Sequence, residues 1–127
     1  MPHTLRKLTR LQRLRQAEEF RAVLQNRVAF NGNFLRLHIK INRLGFARLG
    51  LIVAKRMEHK AVVRNRIKRV VRETFRLHQQ AVIGLDYVMQ LRNPIDLSKH
   101  YLCLRAEALT LLERAEEYLN KHAAITD

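Results

Sequence analysis

Between residues 48 and 91 the spacing of apolar side chains changes twice, and this limits the folds open to the chain more than any other feature. In RLGLIVAK the period is two, with Leu49, Leu51 and Val53 on one side and Arg48, Gly50, Ile52 and Ala54 on the other. In AVVRNRIKRVVRETFR, residues 61 to 76, the period lengthens to that of a helix, and Val63, Ile67, Val70, Val71 and Thr74 fall in one stripe. LDYVMQL, residues 85 to 91, is bounded by Gly84 and by Asn93-Pro94 and reads as a strand again. A long helix between two strands is the connection that lets them lie parallel, so a β-α-β crossover is predicted here.

Upstream, breaks at Asn31-Gly32-Asn33 and from Asn42 to Gly45 delimit two earlier strands. FLRLHIKI alternates strictly: Leu35, Leu37, Ile39 and Ile41 take one face, Phe34, Arg36, His38 and Lys40 the other. The third strand is expected beside the second. AEEFRAVLQ, residues 17 to 25, spaces Ala17, Phe20, Val23 and Leu24 as a short helix, with Glu18 and Glu19 in the first turn where the macrodipole favours acids. From Ser98 to His122 a second long helix is expected, its apolar side carrying Leu102, Ala106, Leu109, Leu112, Ala115 and Leu119. The order is helix, three strands, helix, strand, helix. A chain of 127 residues suits one domain (1-127), with residues 1-15 a basic arm and 122-127 a tail.

Charge narrows the function. Twenty-five Lys and Arg against eleven Asp and Glu give a formal net charge of +14, which favours polyanionic partners and strains the folded state through self-repulsion. Between Lys55 and Arg72 stand eight basic residues and one acid, Glu58, whereas a merely solvated helix intersperses acids for i,i+4 pairing. The helix face opposite the apolar stripe holds Asn65, Lys68, Arg69, Arg72 and Arg76, flanked by Arg64 and Arg66. Asn65 is costly at a helix position, about 0.7 kcal/mol relative to Ala, and between two arginines it suggests a hydrogen-bonding task. Guanidinium forks match phosphate oxygens in a way that ammonium groups do not.

No apolar run reaches the roughly 18 residues of a membrane span, and the first residues lack the pattern of a secretory signal, so a cytoplasmic protein is expected. A lone Cys103 fits a reducing compartment and reads as a small core residue. Catalytic motifs of the nucleophile-elbow, P-loop and zincin types are absent from the sequence, and no side chain is assigned a catalytic role. His100 and Cys103 have the spacing of two metal ligands, but two ligands do not make a site, and no metal residue is assigned.

Phe20 is either a core residue or a platform for an unpaired base, and Phe34 and His38 pose the same choice. The cations Arg36 and Lys40 on the same strand face favour the second reading, since sheet faces mixing aromatics with cations hold single-stranded nucleic acid. On the residues alone the first-ranked function is a general RNA-binding or ribosome-associated protein. A major-groove DNA reader leaves the sheet aromatics without a task, and a membrane-surface helix does not account for the surrounding strands.

Arg64-Asn65-Arg66-Ile67-Lys68-Arg69, followed by Arg72-Glu73 and Phe75-Arg76, closely resembles the arginine-rich signature helix of the bacterial ribonuclease P protein subunit. LGLIVAKR, EEFRAVLQ and DYVMQLRNP support the resemblance, which covers roughly residues 5 to 118 in the family's order. It implies an α/β (α+β) two-layer sandwich with a four-stranded mixed sheet and a left-handed β-α-β crossover, against the right-handed rule. It further implies a monomeric protein that joins a large catalytic RNA. That RNA, with Mg²⁺, removes the 5′ leader of precursor tRNA, and the holoenzyme is an endoribonuclease. Carried over by position, Lys55, Arg56, Arg64, Asn65, Arg66, Lys68, Arg69 and Arg72 would meet the RNA. Phe20, Leu24, Phe34, Arg36, His38 and Arg92 would line the cleft for the leader. The chain departs from the family at Leu24, where a second Phe is common, at Ala54 in place of Ser, and at Asn93 in place of a basic residue.

Overall fold

LDYVMQL is apolar enough to be covered on both faces, and the sheet is organised around it. In the computed structural model, which describes residues 10–78 and 84–126, four strands run β1 (Val28–Asn31), β2 (Leu35–Ile41), β3 (Arg48–Ile52) and β4 (Leu85–Leu91), in the spatial order β1-β2-β4-β3. β4 is buried along almost its whole length, as suits a central strand. It pairs antiparallel with β2, Leu35 opposite Leu91 through Ile41 opposite Leu85, and parallel with β3, Arg48 opposite Asp86 through Ile52 opposite Gln90. The expected parallel crossover is therefore present, but β3 does not lie beside β2. The chain returning from helix α2 (Ala61–His78) inserts β4 between them, and the shorter β3 is left at an edge.

One sheet face carries the main core. Leu35, Leu37 and Ile39 of β2, with Leu85, Tyr87, Met89 and Leu91 of β4, meet Ile67, Val70, Val71 and Phe75 of α2. Leu104, Ala108, Leu111, Leu112 and Ala115 of α3 (Leu97–Thr126) complete the core. Each large side chain fully buried here stabilises the fold by about 1.5–3 kcal/mol, and the Phe75 and Tyr87 rings meet edge to face at 5.3 Å. The opposite face carries a smaller cluster in which α1 (Ala17–Gln25) contributes Val23 and Phe20 against Val88, Ile52 and Leu14. The body is thus a sheet layered on α2 and α3, with α1 on the far face.

Several expectations change. α3 buries Leu112 and Ala115 as expected, but its other buried residues are Leu104, Ala108 and Leu111, while Leu102, Leu109 and Cys103 are exposed. The local backbone at His100 (φ −118°, ψ 21°) is non-helical and kinks α3, and the helix beyond it turns a neighbouring stripe to the core. Asp96 caps its start, accepting the Ser98 hydroxyl at 2.6 Å and the Ser98 N–H at 3.2 Å. Within the stretch read as an arm, residues 10–12 form a 3₁₀ turn and Leu14 is buried, its N–H donating to Leu49 O at 2.9 Å beside the β3 edge. Residues 1–9 lie outside the described residues. α3 continues to Thr126, through the segment read as a tail.

Phe34 also moves. It precedes β2, and its ring packs on the α3 side, 5.6 Å from the His100 ring, not on the cleft face. The cause is the adjoining turn, where three consecutive backbone N–H groups, of Asn33, Phe34 and Leu35, converge on the Glu107 carboxylate at 2.7, 2.8 and 2.6 Å. Gly32 is required beside it, because a Cβ there would overlap that carboxylate. Arg92 Nη1 donates to Gly32 O at 2.9 Å and Asn93 Nδ2 to Asn33 O at 2.6 Å, so the β4 end braces the same turn. Glu107→Ala removes the acceptor of all three donors and should lower unfolding stability by roughly 1.5–3 kcal/mol, the scale of a hydrogen bond to a charged group. Urea titration of the variant measures this, and an unchanged midpoint would show that solvent replaces the carboxylate at no loss.

Candidate nucleic-acid interface

Two surfaces meet at the β3 end of the sheet. The first is α2 with the loop before it. Lys55 and Arg56 are exposed in the turn where the N–H groups of Met57 and Glu58 donate to Ala54 O at 3.0 and 3.2 Å. Asn65, Arg66 and Arg69 are exposed on the helix, while Arg64, Lys68 and Arg72 are half-buried. The predicted single basic face is in fact two flanks of one ridge. Arg66 and Arg69 border a groove toward α3, whereas Arg72 looks the other way, toward Arg13. Burial, and secondarily the charge of Arg13, hold the Arg72 guanidinium below its ordinary pKa. Arg64 is partly committed to the fold, since its Nη1 donates to Glu58 O at 3.0 Å and His59 O at 2.9 Å. The acid within α2, Glu73, is taken by Arg76, and the hydrogen bond from that guanidinium depresses its pKa.

The second surface is the cleft between α1 and the far face of the sheet. Pairing register lays Ala29, His38, Val88 and Gly50 in one row across all four strands, with Asn31, Arg36, Gln90 and Ile52 in the next. α1 covers the first row. A Cβ on Gly50 would come within 2.5 and 2.6 Å of two Phe20 ring carbons, so the half-buried Phe20 ring lies directly on the Gly50 backbone. The second row remains open: Arg36 is exposed and Gln90 half-buried. His38 is 8% exposed and shares a 3.0 Å hydrogen bond with Gln90 Oε1, and burial lowers its pKa, favouring neutral imidazole. Leu24, one turn after Phe20 on α1, is exposed. Phe34 does not join this surface, and Arg92 stands at its margin on the β1–β2 turn.

Residues that sequence reading passed over hold this cleft in shape. Arg48 grips Asp86 through two bonds, Nε to Oδ1 at 2.8 Å and Nη2 to Oδ2 at 2.7 Å, and reaches Glu19 Oε2 at 3.0 Å. Asn42 Nδ2 adds a bond to Asp86 Oδ1 at 2.8 Å, so the buried carboxylate is satisfied from two sides. Glu19 meanwhile accepts the N–H groups of Arg15 and Gln16, each at 3.0 Å, and these backbone bonds, chiefly that of Arg15, depress its pKa. One guanidinium thereby fastens α1 to the sheet. The available signal was Asp86 in an otherwise apolar strand, since an acid there demands a buried partner.

Fold and surfaces together define a small α+β protein that presents a polycationic helix beside an aromatic-edged cleft on an open sheet row. Among the described residues no group of three or more His, Cys, Asp or Glu is placed to hold a metal ion, and no helix is long and apolar enough to cross a membrane. Residues 8–116 match the family model of ribonuclease P. The chain is 59% identical over 90 residues to the ribonuclease P protein component of Nitrosomonas europaea, covering 71% of this chain and 76% of that one. It is 54% identical over 109 residues to that of Nitrosomonas eutropha, covering 84% and 89%. The RNase P protein of Thermotoga maritima superposes with a TM-score of 0.69 at 29% identity, over 80% of this chain and 96% of that one. The Staphylococcus aureus protein reaches 0.74 at 24% identity, over 82% and 94%, a likeness of fold. The chain belongs to the bacterial ribonuclease P protein family, whose members are subunits of the endoribonuclease that matures the 5′ end of tRNA.

Gly50→Ala should force Phe20 off the sheet and lower stability by about 1–3 kcal/mol, the usual scale of overpacking. In the double variant with Phe20→Ala the added methyl has room, so most of its cost should vanish. Additive losses in thermal or urea unfolding would place the Phe20 ring elsewhere.

Proposed function

We propose that α2 docks this protein onto the catalytic RNA of ribonuclease P and that the α1–sheet cleft receives the 5′ leader of precursor tRNA. The observation that carries the reading is the unpaired charge on the α2 ridge: Arg66, Lys68, Arg69 and Arg72 form no ion pair among the described residues, Glu73 beside Arg69 and Arg72 is bound by Arg76, and Arg72 is set toward another cation, Arg13. Like charges drawn together and partly desolvated are stabilised by an anion with many closely spaced charges, as a phosphodiester backbone has. Lys55, Arg56, Arg64 and Asn65 extend the ridge toward the β3 end, near the cleft. Docking there releases condensed counterions from the RNA, which supplies affinity without sequence readout.

In the cleft, Phe20 and Leu24 offer apolar surface along α1, while Arg36 supplies a cation on the open row and the neutral His38–Gln90 pair supplies donors and acceptors. Such a surface holds unpaired bases with little sequence preference. A mature tRNA has no leader to place in it, so the cleft favours substrate over product. The cleavage chemistry belongs to the RNA with its Mg²⁺. The protein's part is binding and positioning in the cytoplasm, and the free protein is a monomer.

Reconstitution with the cognate RNA at low Mg²⁺ should raise cleavage of a precursor tRNA above that of the RNA alone. No gain would reject this reading and favour a general RNA-binding role. Within the reconstituted enzyme, Phe20→Ala should weaken precursor binding by about 1–3 kcal/mol and leave mature tRNA unaffected. Equal losses for the two would make Phe20 a purely structural residue.

A further inference from the structure

α2 and the start of α3 diverge above the core, leaving a groove of about 1040 Å³ on the side of the helix away from the leader cleft. That volume is at the upper end of pockets that enclose small organic molecules, roughly 300–1,000 Å³. Its floor is apolar, formed by Val63 and Val70 from α2 and by Ile95 before α3. Tyr101 forms one wall, is 46% exposed, and has no ring partner or hydrogen bond among the described residues. Arg66, Arg69 and Arg105 stand around it and form no ion pair there.

The groove's carboxylates are already engaged. Glu73 is bound by Arg76, Asp96 caps α3 through Ser98, and Glu58 Oε2 accepts the Lys60 N–H at 3.0 Å. What remains available is an apolar floor, an unstacked phenol ring and three guanidiniums, a charge pattern complementary to an anion with an attached flat apolar group. Arg66 and Arg69 belong at once to this groove and to the α2 ridge, so an occupant need not come from a separate molecule.

Resting on the RNA-docking role of α2, we propose that this groove binds a single unpaired nucleotide of the same RNA, its base against Tyr101 and its flanking phosphates among Arg66, Arg69 and Arg105. A paired nucleotide does not fit the pattern, because its faces are already stacked. An extruded one presents a π-face to the ring and keeps its phosphates at the rim, where guanidinium forks meet them. The RNA contact surface then continues from α2 onto α3, beyond the signature helix.

The test uses the full chain and the cognate catalytic RNA, with affinity measured over a range of salt concentrations. Tyr101→Ala should weaken binding roughly 5- to 150-fold with an unchanged salt slope, the effect of a lost base stack, while Tyr101→Phe should bind as wild type. Arg105→Ala should lower the slope of log K against log salt by roughly 0.7–0.9. Ultraviolet crosslinking of the wild-type complex should join RNA to Tyr101. If wild type binds the RNA and Tyr101→Ala, still folded by circular dichroism, binds equally well, the groove proposal fails while the docking role of α2 stands. If wild type does not bind, both fail together. Self-association in sedimentation equilibrium that Tyr101→Ala abolishes would assign the groove to a second copy of the chain and overturn the proposal.

Discussion

Carboxylates are the scarce component of this protein, and where the fold places them decides the rest. Eleven acids face twenty-five bases. Asp86 and Glu19 are bound to Arg48, Glu107 to three backbone N–H groups, Asp96 to the start of α3, and Glu73 to Arg76. Asp86, Glu19 and Glu107 tie together parts of the chain distant in sequence, whereas Asp96 and Glu73 make local contacts at a helix start and along α2. Among the described residues no acid forms an ion pair with Arg66, Lys68, Arg69 or Arg72, and the one acid within α2, Glu73, is taken by Arg76, so the ridge keeps its charge.

The Arg48 node shows how such placement becomes a functional surface. α1 buries only Val23 fully, and its hydrophobic cluster is small beside the main core. A nine-residue helix with so little apolar contact is marginal by itself. The ion pair to Glu19, itself anchored by the bidentate Arg48–Asp86 contact, holds α1 over one row of the sheet and leaves the next row uncovered. Electrostatic anchoring at one end fixes the helix without filling the space beside it.

How much of this was legible follows from whether the information is local. The bounds of α1, the alternation of β2 through Ile39 and the buried stripe of α2 are set by near neighbours along the chain, and periodicity recovers them. Strand order is not local: whether β3 or β4 lies beside β2 depends on which is apolar on both faces, and LDYVMQL, buried on both, is the central strand. On α3, Leu102, Ala106 and Leu109 have the same i, i+4, i+7 spacing as Leu104, Ala108 and Leu111, so spacing alone cannot choose between the stripes. Packing against α2 and the sheet makes the choice, so Leu102 and Leu109 stay exposed with Leu77 of α2 while Leu112 and Ala115 of the expected stripe are buried. Phe34 was misplaced for a related reason, because alternation ends where the Glu107-bound turn begins. The basic ridge was legible in composition, but its division into two flanks required knowing that α3 packs along one side and the residue 10–14 segment near the other.

An uncompensated ridge has opposite effects on the free and bound protein. Alone, the protein carries the repulsion among Arg66, Lys68, Arg69, Arg72 and Arg13, which lowers stability. On the proposed reading, a bound phosphate backbone converts that repulsion into attraction, so the same residues that weaken the free fold strengthen the complex. Any ligand that binds only the folded state also stabilises it, by an amount that grows with its concentration relative to Kd. Stability and RNA affinity are therefore not independent properties of α2. An acid placed at an exposed ridge position would relieve the free protein and weaken the complex through the same Coulomb interaction. This linkage gives a physical reason for eight basic residues and one acid between Lys55 and Arg72 that solubility alone does not supply.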